Sequence, residues 1–175
     1  MTIARLALGP CLLLAACAAP PAPPVRLHAG LSAVHREVRT TSPEAQRCFD
    51  QGLALTFAFH HDEAIRSFER ATQLDPQCAM AWWGIAFAHG PHYNNQFMSE
   101  DAARRAHEAV QRALELVGSD GPVGASQAGA PADVERDLVR ALARRYAWPP
   151  PAERAELDRA LAEAMRQAWR AHPQD

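Results

Sequence analysis

Apolar residues along this chain recur three and four positions apart, and no segment alternates apolar with polar residues long enough to predict a strand. Ser42-Pro43-Glu44 predicts a helix start: a serine cap, a proline whose missing N–H costs nothing there, and an acid in the first turn. That helix is expected to reach about Phe57 and to bury Phe49, Leu53 and Phe57. His60-His61-Asp62 then reads as a turn, followed by a second helix from Glu63 to Leu74 that buries Ala64, Phe68 and Ala71. Asp75-Pro76 repeats the start signal for a third helix carrying Ala79, Trp82, Trp83, Ala86 and Phe87, which Gly90-Pro91 stops. A loop, His92-Tyr93-Asn94-Asn95-Gln96, leads to a fourth helix from Ser99 to Val117. Glycine, proline and small polar residues from Gly118 to Pro131 predict a flexible connection. A fifth helix is expected from Ala132 to Tyr146, and a sixth after Trp148-Pro149-Pro150-Pro151, ending at Ala171. Six helices in three antiparallel pairs make an all-α fold.

Composition agrees with that reading, because alanine, leucine, arginine and glutamate are good helix formers. The 18 basic residues are all arginine and the 20 acidic ones leave a formal charge of -2, with no block of one sign. Such a balance provides no electrostatic footprint for nucleic acid.

The amino terminus reads as an address. Arg5 precedes an apolar run, Leu6 to Ala16, that is too short to span a bilayer. It closes on Leu14-Ala15-Ala16-Cys17, which resembles the lipobox of bacterial lipoproteins. The resemblance implies a signal over 1–16, cleavage before Cys17, and acyl chains on that cysteine that hold the protein to a membrane. The plainer alternative is an ordinary cleavable signal with a coincidental cysteine. Ala18 to Pro24 is proline-rich and favours an extended spacer, so 17–40 is read as a tether. Ala18, where enterobacterial sorting rules would place aspartate to retain a protein at the inner membrane, implies the outer membrane.

The segment from Ala45 to Pro76 is similar to a tetratricopeptide repeat, a motif of 34 residues. With Ala45 first, Gly52, Ala64, Phe68, Ala71 and Pro76 fall on signature positions; Trp82 and Ala86 do so one repeat later. Small residues at 52, 64, 71 and 86 would let helices approach, with Phe68 and Trp82 filling the gaps. Cys48 and Gln51 depart from the pattern, the second hairpin carries an insert, and the third matches only as two helices with Ala168 and Pro173 in plausible places. The implied architecture is an α-solenoid of about three hairpins: two over 41–117, a linker over 118–131, and a third over 132–175. Phe49-Asp50-Gln51-Gly52-Leu53, His61-Asp62-Glu63-Ala64 and the stretch from Cys78 to Pro91 further resemble the amino-terminal region of longer bacterial exported tetratricopeptide proteins. Ala171-His172-Pro173-Gln174-Asp175 looks like the turn between hairpins, as in an array cut short or one whose open end meets a second copy or a partner. What the resemblance implies is a scaffold that holds another envelope protein or a peptide, with no enzymatic activity and no cofactor.

Candidate chemistry is sparse. With Cys11 and Cys17 assigned to the leader and the anchor, Cys48 and Cys78 remain, and in an oxidising compartment both a disulfide and two buried thiols fit them. His60, His61, His89 and His92 sit in turns that stacked hairpins would bring to one edge, as weak zinc or copper candidates. A metal- or small-ligand-binding module at that edge is therefore the rival reading, and a fragment with no function of its own is a third. Trp82 and Trp83 are adjacent, so on a helix they point about 100° apart; Trp82 is expected in the core and Trp83 toward a groove. Tyr93, Asn94 and Asn95 are the expected recognition loop. Asp62-Glu63 fits a helix start better than a catalytic pair, and no nucleophile elbow, phosphate loop or dinucleotide fingerprint occurs.

Overall fold

The computed structural model describes residues 24–31, 33–118 and 131–175. The expected signal (1–16), the lipidation site Cys17 and nearly all of the 118–131 connection lie outside the described residues. Among those described, there are six α-helices and no strand: α1 Pro43–Phe57, α2 His61–Leu74, α3 Ala79–His89, α4 Glu100–Val117, α5 Pro131–Ala143 and α6 Ala155–Ala171. None is long and apolar enough to cross a membrane.

Local chemistry accounts for most boundaries. The Ser42 hydroxyl accepts from the Ala45 amide and the Ser99 hydroxyl from that of Ala102, each satisfying an N–H that the first helical turn leaves free. Three expectations shift. α2 begins at His61, so the turn is Ala58–His60. Asp75-Pro76 leads into a short turn in which the Asp75 carboxylate takes the Gln77 amide, and α3 starts only at Ala79. α5 ends at Ala143, not Tyr146, because the chain turns there and Tyr146 inserts its hydroxyl under α3 to reach the Ala86 carbonyl at 2.6 Å.

The helices pack in chain order as hairpins, each against the next. In addition α1 approaches α3 and α3 approaches α5, while α2 and α4 do not come close among the described residues. Phe68 of α2 is the central wedge. Its ring packs on Phe49 with centroids 5.6 Å apart and lies so close to Gly52 of α1 and Gly84 of α3 that a methyl group on either would sit 2.6 or 2.5 Å from it. Ala64, Ala71 and Ala86 are also fully buried in this core, whereas Pro76 is exposed in its turn.

Two burial expectations are reversed. Phe57 is 62% exposed because it is the last residue of α1, past the point where α2 covers the helix. Trp83 is the core tryptophan: it stacks on Phe87 at 4.8 Å and donates its indole N–H to the Leu138 carbonyl of α5. Trp82 is half-buried, packs against the same core from its margin, and reaches back to the Pro76 carbonyl.

The tether expected over 17–40 is, from Arg26 onward, a strap bound to the helices. Side-chain amides of α1 stand in for a partner strand: Gln51 bonds the Arg26 carbonyl and the His28 amide, and Gln46 bonds the Arg36 carbonyl and the Val38 amide. Val38 is buried. The strap also reaches the last hairpin, where the Arg39 amide donates to buried Glu135 at 2.7 Å and Arg36 forks onto the Asp175 carboxylate. Burial raises the Glu135 carboxyl above its ordinary range, against the Arg39 amide that favours the charged form.

Candidate functional site

The α1–α2 turn and the α3–α4 loop meet at one edge of the molecule, and there the residues depart from ordinary packing. Phe59 follows α1 in the left-handed region at φ 61°, where glycine is usual. Its amide bonds the Thr56 carbonyl and the next amide, His60, bonds that of Leu55, so the helix end itself imposes the conformation. The ring that results is 59% exposed beside Phe57. Across from them the loop pairs His92 with Asn95 through two backbone hydrogen bonds, and the Asn95 side chain takes the Phe97 amide. This tight loop leaves Tyr93 92% and Phe97 77% exposed. Thr56, Phe57, Phe59, His61, Phe87, Pro91, His92, Tyr93 and Arg145 enclose a cavity of about 240 Å³ between the two. A cleft of about 510 Å³ continues from Pro91, His92, Tyr93 and Arg145 to Arg154 and to Leu161 and Met165 of α6.

Of the four candidate histidines, two come together. His61 and His92 lie face to face, ring centroids 3.4 Å apart and planes 2° from parallel, with Phe59 edge-on to His61. Neither ring nitrogen of His61 has a hydrogen-bond partner, and both are closed to solvent. Burial disfavours the charged form of His61, His89 and His92, and His92 is lowered further by its neighbours His61 and Arg145. His60 is exposed in the turn and His89 is half-buried at the end of α3. Among the described residues no three histidine, cysteine, aspartate or glutamate side chains gather as metal ligands. The stack itself opposes chelation, since a bound ion lies near the plane of each imidazole and two parallel planes share no such point.

Cys48 and Cys78 are both buried as free thiols. Burial raises both, Cys78 to about 11, so neither offers a thiolate nucleophile near neutral pH. A buried pair that periodicity does not reveal joins α5 to the end of α6: His172 Nε2 lies 2.9 Å from Asp137 Oδ2. Arg145 is a bracket, donating to the Pro91 carbonyl while its own carbonyl accepts from Arg154. The loop residues expected to recognise a partner, Tyr93, Asn94 and Asn95, do lie on this edge and are exposed. Helical periodicity does not single out Phe57 and Phe59 for it; an aromatic residue at a helix C-terminus, where glycine is ordinary, is the signal that could have found them.

No protein-family model matches the sequence, and no curated protein matches it.

Proposed function

We propose that this chain is a tetratricopeptide-like interaction module, anchored by lipid at Cys17 in a bacterial envelope, that holds another envelope protein or peptide and carries out no chemical step. The observation that carries the reading is the aromatic edge: Phe57, Phe59 and Tyr93 stand exposed around a cavity of about 240 Å³. Exposed aromatic groups clustered on one edge dominate interface energies. The approach of α1 to α3 and α3 to α5 supports a stacked array, in which successive hairpin turns share one edge. The anchor rests on the lipobox resemblance, and the outer-membrane location on Ala18. Contact with the membrane is through the lipid alone, and the balanced charge assigns nucleic acid no part.

The test selects peptides from a random display library on the immobilised chain and measures the affinity of the purified winners. Phe59→Ala or Tyr93→Ala is expected to weaken binding about tenfold or more, as hot-spot truncation does, while Glu108→Ala on α4 leaves it unchanged. Winners that bind all four proteins equally would end the reading of this edge. For the anchor, incorporation of an alkynyl fatty acid in cells is expected to vanish with Cys17→Ala; unchanged labelling would end that part.

A further inference from the structure

Three features of the edge belong together: two imidazoles in ring-to-ring contact, a pair of orphaned ring nitrogens, and a loop with little else to hold it. The loop from Pro91 to Met98 buries neither Tyr93 nor Phe97, and its internal hydrogen bonds run only between His92, Asn95 and Phe97. Its ties to the body are the Arg145 bond to the Pro91 carbonyl, partial burial of Met98, and the stack of His92 on His61. We propose that the His61–His92 stack is an acid-released latch: protonation parts the rings, the loop lifts, and the aromatic cavity of Phe57, Phe59 and Phe87 opens to a partner's apolar side chain.

The chemistry follows from the geometry. An imidazolium carries two N–H donors, and His61 has no acceptor for either nitrogen in the closed arrangement. A charge on one ring would face the other ring at 3.4 Å, and a second charge would face the first. The groups around the pair are few. Asp62 of α2 favours a charge on His61 and His60 of the preceding turn opposes it; from the segment after α5, Arg145 opposes a charge on His92, with Asp158 of α6 3.9 Å from that guanidinium. α1 and α3 contribute Thr56, Phe57 and Phe87, which are uncharged. Burial and the cationic neighbours outweigh Asp62, so the closed form keeps both rings neutral below the pH at which free imidazole takes a proton. The sign is then fixed. The open form binds more protons, so closure is intact above about pH 6.5 and weakens as pH falls below it. Between pH 7.5 and 5.5 the opening constant rises, by at most about tenfold for each histidine released.

Use of the latch as a gate rests on the partner-holding role proposed above; the latch itself is a property of the isolated chain, and its test needs no partner. Relaxation of the Phe87 ring protons by a soluble neutral paramagnetic agent is read by NMR in the purified chain at pH 7.5 and 5.5, with fully buried Phe68 as the reference. It is expected to rise roughly twofold or more at Phe87 at the lower pH while Phe68 holds. His92→Phe and His61→Phe, which keep a stacking ring and remove the charge, are each expected to flatten the pH response of Phe87. Constant relaxation at Phe87 in the parent chain would overturn the latch, and so would an undiminished response in both variants. Retained helix signals for either variant establish that it folds.

Discussion

Phe68 is fixed between two glycines, and adding a methyl group to one of them provides the sharpest test of this core. An ideal Cβ on Gly84 would lie 2.5 Å from Cδ1 and Cε1 of Phe68, and one on Gly52 would lie 2.6 Å from Cε1. Carbon atoms in contact prefer about 3.5–4.0 Å, so either substitution demands a movement of roughly 1 Å in a close-packed interior. The same ring edge meets both glycines, and Phe68 is buried on all sides, so the ring has no free direction. Overpacking of this kind costs about 1–3 kcal/mol, partly offset by the gain of about 1 kcal/mol when alanine replaces glycine inside a helix. The net expectation for Gly84→Ala is a loss of up to about 2 kcal/mol, or a Tm lower by up to roughly 8 °C for a folded region of this size. Phe68→Ala alone should lose about 3–5 kcal/mol. In the Phe68→Ala background the obstacle is gone, so Gly84→Ala should become neutral or stabilising by up to about 1 kcal/mol. Urea or thermal unfolding followed by far-UV circular dichroism completes the four-protein cycle. A stabilising Gly84→Ala in the parent chain would refute the wedge, as would an equal cost in both backgrounds.

Other consequences follow from buried polar groups and from the two tryptophans. His172→Ala removes a hydrogen-bond partner from the fully buried Asp137 carboxyl and is expected to cost roughly 3 kcal/mol in urea unfolding, because the group is left inside without it. Arg36→Ala removes only a half-exposed fork onto Asp175 and is expected to cost under about 1 kcal/mol in the same assay. Cys48 and Cys78 are expected to resist iodoacetamide at pH 8 in the folded chain and to react together once urea unfolds it; mass spectrometry reads the adducts. Trp83→Phe should destabilise more than Trp82→Phe, since Trp83 is the more buried of the two and bonds α5; equal midpoints in urea would contradict the assignment.

Helices with chemical punctuation were legible in the sequence. Ser42-Pro43 and Ser99 cap the elements they predict, Gly90 follows the last residue of α3, and the four-three spacing of Ala64, Phe68 and Ala71 puts all three in the core. What escaped depends on distant partners. Choosing between adjacent tryptophans required knowing that the Leu138 carbonyl, 55 positions away, waits beside Trp83. Tyr146 continues a helical pattern but leaves the helix for the Ala86 carbonyl. The strap is held at Arg26, His28, Arg36 and Val38 by glutamine side chains of α1, and such side-chain-to-backbone bonds leave no signature in the strap's own sequence. Repeat arithmetic selects Ala86 and not Gly84 as the small residue, since it fixes a position along the helix and not the ring that will press on it. At the candidate site, turn histidines on one edge were foreseeable, whereas ring-to-ring contact between His61 and His92 depends on the backbone of a loop that has no regular period.

Departures from good local chemistry occur elsewhere, as in Trp169 of α6, 65% exposed, and His107 of α4 with a buried ring nitrogen lacking a partner, but they are densest at one edge. In α1 the serine cap, and at the α1–α2–α3 contact the small-to-large packing, agree with the fold, as do the i,i+3 and i,i+4 ion pairs of α4. Between Phe57 and His61 and between Pro91 and Phe97 the local chemistry does not. A phenylalanine occupies a left-handed position at a cost on the order of 1 kcal/mol, further aromatics are given to water, and a histidine keeps both nitrogens closed off without partners. Glycine at 59 and a polar residue at 57 would relieve the first two costs without touching the core. Phe59→Gly is therefore expected to hold or raise the unfolding midpoint, while removing part of the surface that a partner would cover. A drop of about 1 kcal/mol or more in stability would mean that Phe59 serves the fold, and the aromatic edge would lose its strongest claim to be a binding surface.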